Sequence, residues 1–363
     1  MTVYNGGNFL KPAVKSVLDQ TYKDFEFLII NDCSKDDSLA VIESFHDARI
    51  RVLNNKENLG QTRSLNLGFQ LAKSEYVARI DADDMAFPHW LQSQVNFLQK
   101  HGESDVLSAG LVTFHEKGLG KVYWSPFSRE DMLLRAIINS PINHGGAFMK
   151  RETILRCGGY NNNYKIAADY GVWVSLLREN ARIMSNSDIV MAIRRHAESA
   201  SEKNKLTQAL QEVSDIVRKH INFISTAELT PQESLLMCRA HYDEGGLNDE
   251  NFRRAVKIHK KVYAGLRDDL GLDKKRVQFW YIKQARTFFL RRVYFFILQQ
   301  NKLQVRAVSL ECLRILEFNI NFAILYGCSF LPQQVLTILL DFYYRLHTLK
   351  AKFLVKRNYI PAV

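Results

Sequence analysis

Three short apolar runs, each closed by a polar residue, fix what the amino-terminal part of this chain can become. The segments "FEFLIIND" (25–32), "RIRVLNN" (49–55) and "EYVARID" (75–81) have the length and content of buried strands. Before and between them, apolar residues recur at three and four in "NFLKPAVKSVLDQ" (8–20), "SLAVIESFH" (38–46) and "GQTRSLNLGFQLAK" (60–73), which predicts amphipathic helices. Strands alternating with helices build βαβ units and a parallel sheet. Ligands of such sheets bind beyond the carboxyl ends of the strands, which is where Asp32 and the cluster Asp81, Asp83 and Asp84 fall.

That cluster lies in "ARIDADDMAFP" (78–88). One Asp at a strand end is turn chemistry, since its carboxylate bonds nearby backbone N–H groups. Three close together repel and raise one another's pKa, so they call for a compensating cation or set of donors. A hard divalent ion such as Mg2+ or Mn2+ takes oxygen ligands, often one or two carboxylates together with substrate phosphates.

Further along, "PHWLQSQVNFLQKHG" reads as a helix and "VLSAGLVTFHEKG" (106–118) as a strand and turn. "INHGGAFMKRETILRCGGY" (142–160) gives a strand, a helix and a Gly-Gly stop, and "AADYGVWVSLLREN" (167–180) another helix. From about residue 200 the pattern turns helical with few glycines, which places a domain boundary at 200–215: a catalytic domain over 1–205 and a basic helical region over 206–363. Residues 251–363 hold 21 Lys/Arg against 6 Asp/Glu, within a chain of net charge +11. Such asymmetry suits an anionic lipid surface, though a solvated basic helix would look the same; no nucleic-acid module is recognisable and no nucleic acid is expected. Five cysteines without a CxxC pair argue against disulfides or a thiolate zinc site. With no signal-peptide pattern at "MTVYNGGNFL", the expected location is the cytoplasm, peripheral on the inner face of the cell membrane. The uncharged stretch Phe318–Leu340 contains Asn319, Asn321, Pro332, Gln333 and Gln334, which favours two helices broken at "LPQQ" over a membrane span, and "RTFFLRRVYFFILQQ" (286–300) reads as an interfacial or a bundle helix.

The motifs "MTVYNGGNFLKPAVKSVLDQTYKDFEFLIINDCSKDDS", "NLGQTRSLNLG", "YVARIDADD" and "RRHAESAS" together resemble the family 2 glycosyltransferases over residues 1–200. The resemblance implies the GT-A fold, an α/β nucleotide-diphosphosugar transferase fold with a Rossmann-like mixed sheet, followed here by a mainly helical region. It is similar most of all to bacterial enzymes of lipooligosaccharide and surface-polysaccharide synthesis, hexosyl or N-acetylhexosaminyl transferases. It implies that Thr2 and Tyr4 cradle the uracil of a UDP-sugar donor and that Asp32 bonds the base. Asp81, Asp83 and Asp84 would hold the ribose and an Mn2+ or Mg2+ ion on the diphosphate, with Asp83 and His196 toward the metal. Asp169 would be the general base on the hydroxyl of a glycan or glycolipid acceptor. One base and direct displacement imply inversion at the anomeric carbon.

The residues themselves leave other readings open. Asp169 could be a helix cap, His144 an acceptor-site or a plain strand-end histidine, and Trp90 and Trp173 sugar platforms or core. Arg194 and Arg195 could meet phosphate or solvent. Three positions depart from the family pattern. The first, central strand is expected to be short at "MTVYN"; Asn31 and Cys33 replace an acid and a glycine; and Ala168 replaces the acid before the base. These departures motivate the alternative of a catalytically impaired member that binds nucleotide or glycan without turnover.

Overall fold

The computed structural model describes residues 1–115, 118–195, 206–242 and 247–285. His196 and the segments 286–300 and 318–340 lie outside the described residues. The described chain forms two compact units, one from Met1–Met132 with residues 140–195, the other from Leu133–Asn139 with residues 206–285.

The first unit opens as the alternation predicts. Strands β1 (Thr2–Val3), β2 (Phe27–Asn31) and β3 (Ile50–Asn54) form a parallel sheet in that order, joined by helices α1 (Gly7–Leu18) and α2 (Ser38–Glu43). Helix α1 buries Leu10, Ala13, Val14 and Val17, spaced at three and four, against Ile29, Phe27 and Ile42. The expectation of a short first strand meets a two-residue β1, but it is an edge strand and not a central one. Its pairing stops at Thr2↔Ile30 and Val3↔Asn31, so it does not bridge to the next sheet. An apolar cavity of 420 Å³ instead lies among Phe27, Leu28, Val77, Ala78, Leu91 and Phe148.

After α3 (Gln61–Leu71) the chain builds a six-stranded mixed sheet. Its order is β4 (Tyr76–Ala78), β8 (Phe148–Lys150), β6 (Val106–His115), β9 (Ile183–Arg194) and β5 (Met85–Ala86), with β7 (Gly118–Tyr123) forming a hairpin on β6. Strand β6 runs parallel to β9 and antiparallel to β8. The strand expected over 75–81 does not join the parallel sheet: it pairs antiparallel with β8 and ends at Ala78, where the chain turns to carry the acidic cluster. Helices α4 (Trp90–His101), α6 (Arg151–Arg156) and α7 (Ala168–Arg178) follow the predicted segments, and α5 (Arg129–Arg135) leads out of the unit. Trp90 and Trp173 are fully buried, which resolves both as core; Trp90 Nε1 also donates to the Gly146 carbonyl at 3.0 Å.

The second unit is helical: α8 (Leu206–Ile224), α9 (Pro231–Tyr242), α10 (Asp249–Ala264) and a helix over 274–285. Its buried stripes include Ile216, Val217, Ile221 and Ile224 on α8. No helix among the described residues is long and apolar enough to cross a membrane.

Candidate active site

The carboxyl ends of β1, β2 and β4 open on one cleft of 680 Å³, lined by Thr2, Tyr4, Asp32, Gln61, Asp81 and Asp83 together with the glycine turn after Tyr4. This turn is tied to the loop after β2: the Gly6 and Gly7 N–H groups donate to Ser38 Oγ (2.8 Å) and Asp36 Oδ2 (3.0 Å), and the Lys35 N–H to Asn5 Oδ1 (2.8 Å). Tyr4 projects from it half exposed, at 51%.

Asp32 is buried at the end of β2 and grips the loop that precedes α3. Its Oδ1 accepts from Asn55 Nδ2 (2.7 Å) and the Leu59 N–H (2.9 Å), and Oδ2 from the Gly60 N–H (2.8 Å). Gly60 adopts φ +83°, where a side chain would be strained, so the glycine is what lets its N–H reach the carboxylate. Cys33, the replacement for the family glycine, also sits in the left-handed region, at φ +61°.

The acidic cluster is divided by its surroundings. One carboxylate oxygen from each of Asp81, Asp83 and Asp84 lies within 4.8 Å of the others. Asp81 is partly exposed; Oδ1 pairs with Arg79 and accepts from Gln61 Nε2 (3.0 Å). Asp84 is buried beneath, its Oδ1 taking the Arg194 N–H (2.9 Å). Burial, then repulsion from Asp81 and Asp83, pushes the Asp84 carboxyl well above the usual carboxylate range. Arg194 lies between the rings of Phe9 and Phe114, 4.7 and 4.4 Å from their centroids, and donates through Nε to the Asp83 carbonyl (3.0 Å). That stack turns Arg194 into a brace for the acidic loop.

Arg79, which the sequence reading passed over, is the hub. It is 6% exposed, and its Nε finds no hydrogen-bond partner among the described residues. Burial opposes its charge, but Asp81, Tyr160, Asp84 and Asp169 outweigh that and raise its pKa. The sequence carried only a weak signal for it, an Arg two residues before an Asp, and that spacing alone does not tell a buried pair from a solvated one. Asp169 sits in the first turn of α7 and is absent from the cleft wall, yet it feels Arg79 and Asp81. Burial raises its pKa above the ordinary 3.8, partly offset by the Tyr170 N–H and Arg79. His144 bonds Tyr160 Oη through Nε2 (2.8 Å) and stands edge-on to Trp173. Burial and then Arg79 push its pKa well down, which disfavours the charged ring. It is therefore part of a packed cluster and not a plain strand-end residue.

Residues 1–159 match the model of the family described as Glycosyl transferase family 2. That segment belongs to family 2. An uncharacterized glycosyltransferase of Haemophilus influenzae is 30% identical over 188 residues, 48% of this chain and 58% of its own length. The putative glycosyltransferase EpsE of Bacillus subtilis is 27% identical over 209 residues, 56% of this chain and 74% of its own. The chain thus spans little more than half of the Haemophilus relative. In structure, the 1–349 segment of S. aureus TarS in complex with UDP-GlcNAc is similar at TM-score 0.54 and 18% identity, covering 85% of this chain and 88% of that one. The likeness establishes the GT-A fold.

Within this family 2 segment, Thr2, Tyr4, Asp32, Asp81 and Asp83 share one cleft and Asp84 is buried beside it; Asp169 lies beyond the matched residues and stands apart from the cleft wall. The acidic trio suits a hard divalent ion: all donors are oxygens, and their repulsion is relieved only in part by Arg79 and the Arg194 N–H.

Proposed function

We propose that the chain transfers a sugar from a UDP-sugar to a hydroxyl of a bacterial surface glycan or lipooligosaccharide, with inversion, in a reaction that needs Mn2+ or Mg2+. Residues Asp81 and Asp83 would hold the ion, which would neutralise charge gathering on the departing diphosphate. The observation that carries the reading is the single cleft joining Thr2, Tyr4, Asp32, Asp81 and Asp83 beyond the carboxyl ends of β1, β2 and β4. TarS, of like fold, is seen with UDP-GlcNAc, which makes an N-acetylhexosaminyl donor the first to try.

Each residue then has a physical task. Tyr4, exposed on a turn fixed to the β2 loop, offers a ring face to a base. Asp32 holds the 55–60 loop closed beside it. Asp169, whose raised pKa makes it a stronger base than a free carboxylate, takes the acceptor proton. Arg79 positions Asp81 and works against the burial and repulsion that raise the Asp84 carboxyl. The reaction would take place at the cytoplasmic face of the membrane, where the basic carboxyl-terminal region meets anionic lipid.

Calorimetric titration of UDP with and without Mn2+ tests this. Metal-dependent binding that Asp83→Ala abolishes is expected. Absence of UDP binding in both conditions would sink the donor assignment, and UDP binding without transfer of any UDP-sugar would leave a nucleotide-binding protein in place of an enzyme.

A further inference from the structure

Helix α10 has two unlike faces. Its inner stripe, Phe252, Ala255, Ile258, Val262 and the flanking His259 and Tyr263, is buried. On the outer stripe stand Arg253, Arg254, Lys257, Lys260 and Lys261, all exposed. The spacings of three, four, seven and eight bring these five cations into one row.

The row works against the helix that bears it. Like charges at i, i+3 and i+4 destabilise a helix by a few tenths of a kcal/mol each, and no acid interrupts the run from Arg253 to Ala264. A helix selected for solubility alone alternates the two signs. Among the described residues, Arg254, Lys257, Lys260 and Lys261 have no ion pair within 4.0 Å. From the facing helix, Glu233 feels Lys261 and Arg254, but its Oε2 is committed to the Thr230 N–H (2.9 Å) at the start of α9.

The neighbouring helix over 274–285 adds to the surface. Tyr281 stacks on His259 at 5.2 Å, which seats this helix on α10. Away from that seam it exposes Lys274, Lys275 and Lys283, with Phe279 57% exposed. Lys283 lies over Trp280, 4.2 Å from the ring centroid, and beside Phe279. Lysine beside an exposed aromatic is the composition of helices that rest in a lipid headgroup layer.

We infer that the outer row of α10, with Phe279 and Lys283 of the helix over 274–285, is the surface by which this chain docks on an anionic phospholipid membrane. The inference deepens the proposed function, which places the reaction at a membrane, and it names the face that meets it. A straight row of about eight residues at 1.5 Å rise runs about 12 Å, long enough to lie flat on a leaflet. A lysine near an anionic leaflet strengthens binding by roughly fivefold, so three of them account for roughly a hundredfold.

Co-sedimentation of the full chain with vesicles tests the assignment. Wild type is expected to bind phosphatidylglycerol-containing vesicles, to be released by salt and to ignore pure phosphatidylcholine. The variant carrying Lys257→Gln, Lys260→Gln and Lys261→Gln is expected to bind roughly a hundredfold more weakly, with UDP titration unchanged. Equal binding of variant and wild type would overturn the inference, as would equal binding to neutral and anionic vesicles. Displacement from vesicles by soluble glycerophosphate at matched phosphate would assign a free-phosphate site, and tighter binding to duplex DNA a nucleic-acid surface; either would overturn it. Failure of UDP to bind wild type, with vesicle binding intact, would remove the donor-site reading and leave this one standing.

Discussion

Replacing Arg79 by methionine should cost more than any other single change at the site. The guanidinium is buried, paired with Asp81 and close enough to Asp84 and Asp169 to shift its own pKa upward. Methionine retains much of the buried stem, so the loss is chiefly of charge. Removing one partner of a buried ion pair costs about 3–5 kcal/mol, since the other charge is stranded. Here Asp81 is partly open to water, which favours the lower end, while Asp84 and Asp169 already carry pKa values raised by burial and lose an ally. About 3 kcal/mol at neutral pH is the expectation. The sign with pH follows from linkage: Asp84 and Asp169 have folded pKa values above their unfolded ones, so the variant binds protons on folding and recovers stability as pH falls through those raised values. Urea denaturation followed by tryptophan fluorescence, which Trp90 and Trp173 report from this unit, measures the loss at several pH values. A cost below about 1 kcal/mol, or one that does not change with pH, would refute the view of Arg79 as the counter-charge of the cluster.

Other outcomes follow from single residues. Cys33→Gly should stabilise the protein by up to about 1 kcal/mol, because the left-handed backbone costs a side chain that much; an unchanged or lower urea midpoint would contradict this. Gly159→Ala should cost about 1–3 kcal/mol, since a Cβ there would stand 2.5 Å from Asn66 Oδ1 and break the paired bonds between Asn66 and the Tyr160 backbone; the same denaturation assay reads it. Sugar transfer should fall as pH drops through the raised pKa of Asp169, giving an acid limb above 3.8 that moves higher in Arg79→Met; a limb at the ordinary value would remove Asp169 from the base role.

The α/β frame was legible because α1, α3, α4 and α7 repeat apolar residues at helical spacing and β2 and β3 are compact apolar runs. Strand β9 was not, although it is twelve residues long. Its centre carries Ser185, Asn186 and Asp188, where the pairing with β6 shifts register, and the shortest bond of the buried Asn186 amide runs to Ser93 Oγ, 2.7 Å away and far off in sequence. The acidic loop and Asp32 could be read from their place after apolar runs. Arg79 could not, since a lone arginine just after a strand looks like a solvent-facing residue until Asp84 and Asp169 are seen near it. The same holds for His144 and Tyr160, which pack as a pair only once β8 and the Gly-Gly turn are in place.

The segment Leu133–Asn139 bears on how such a protein can be divided or recombined. It lies early in the chain, flanked on both sides by the unit that carries the cleft, yet it packs in the helical unit. Leu133, Leu134, Ala136, Ile137 and Ile138 are fully buried there, and the carbonyls of Leu133, Leu134 and Ile138 are bonded by His220, Gln284 and Tyr242. The helical unit is thus not an appendage that could be trimmed after residue 205 or exchanged for another. A cut at that point would leave five apolar side chains and their carbonyls stranded in a loop of the remaining protein. The boundary at which this chain can be divided is therefore set by the packing of 133–139 and not by the place where the sequence turns helical.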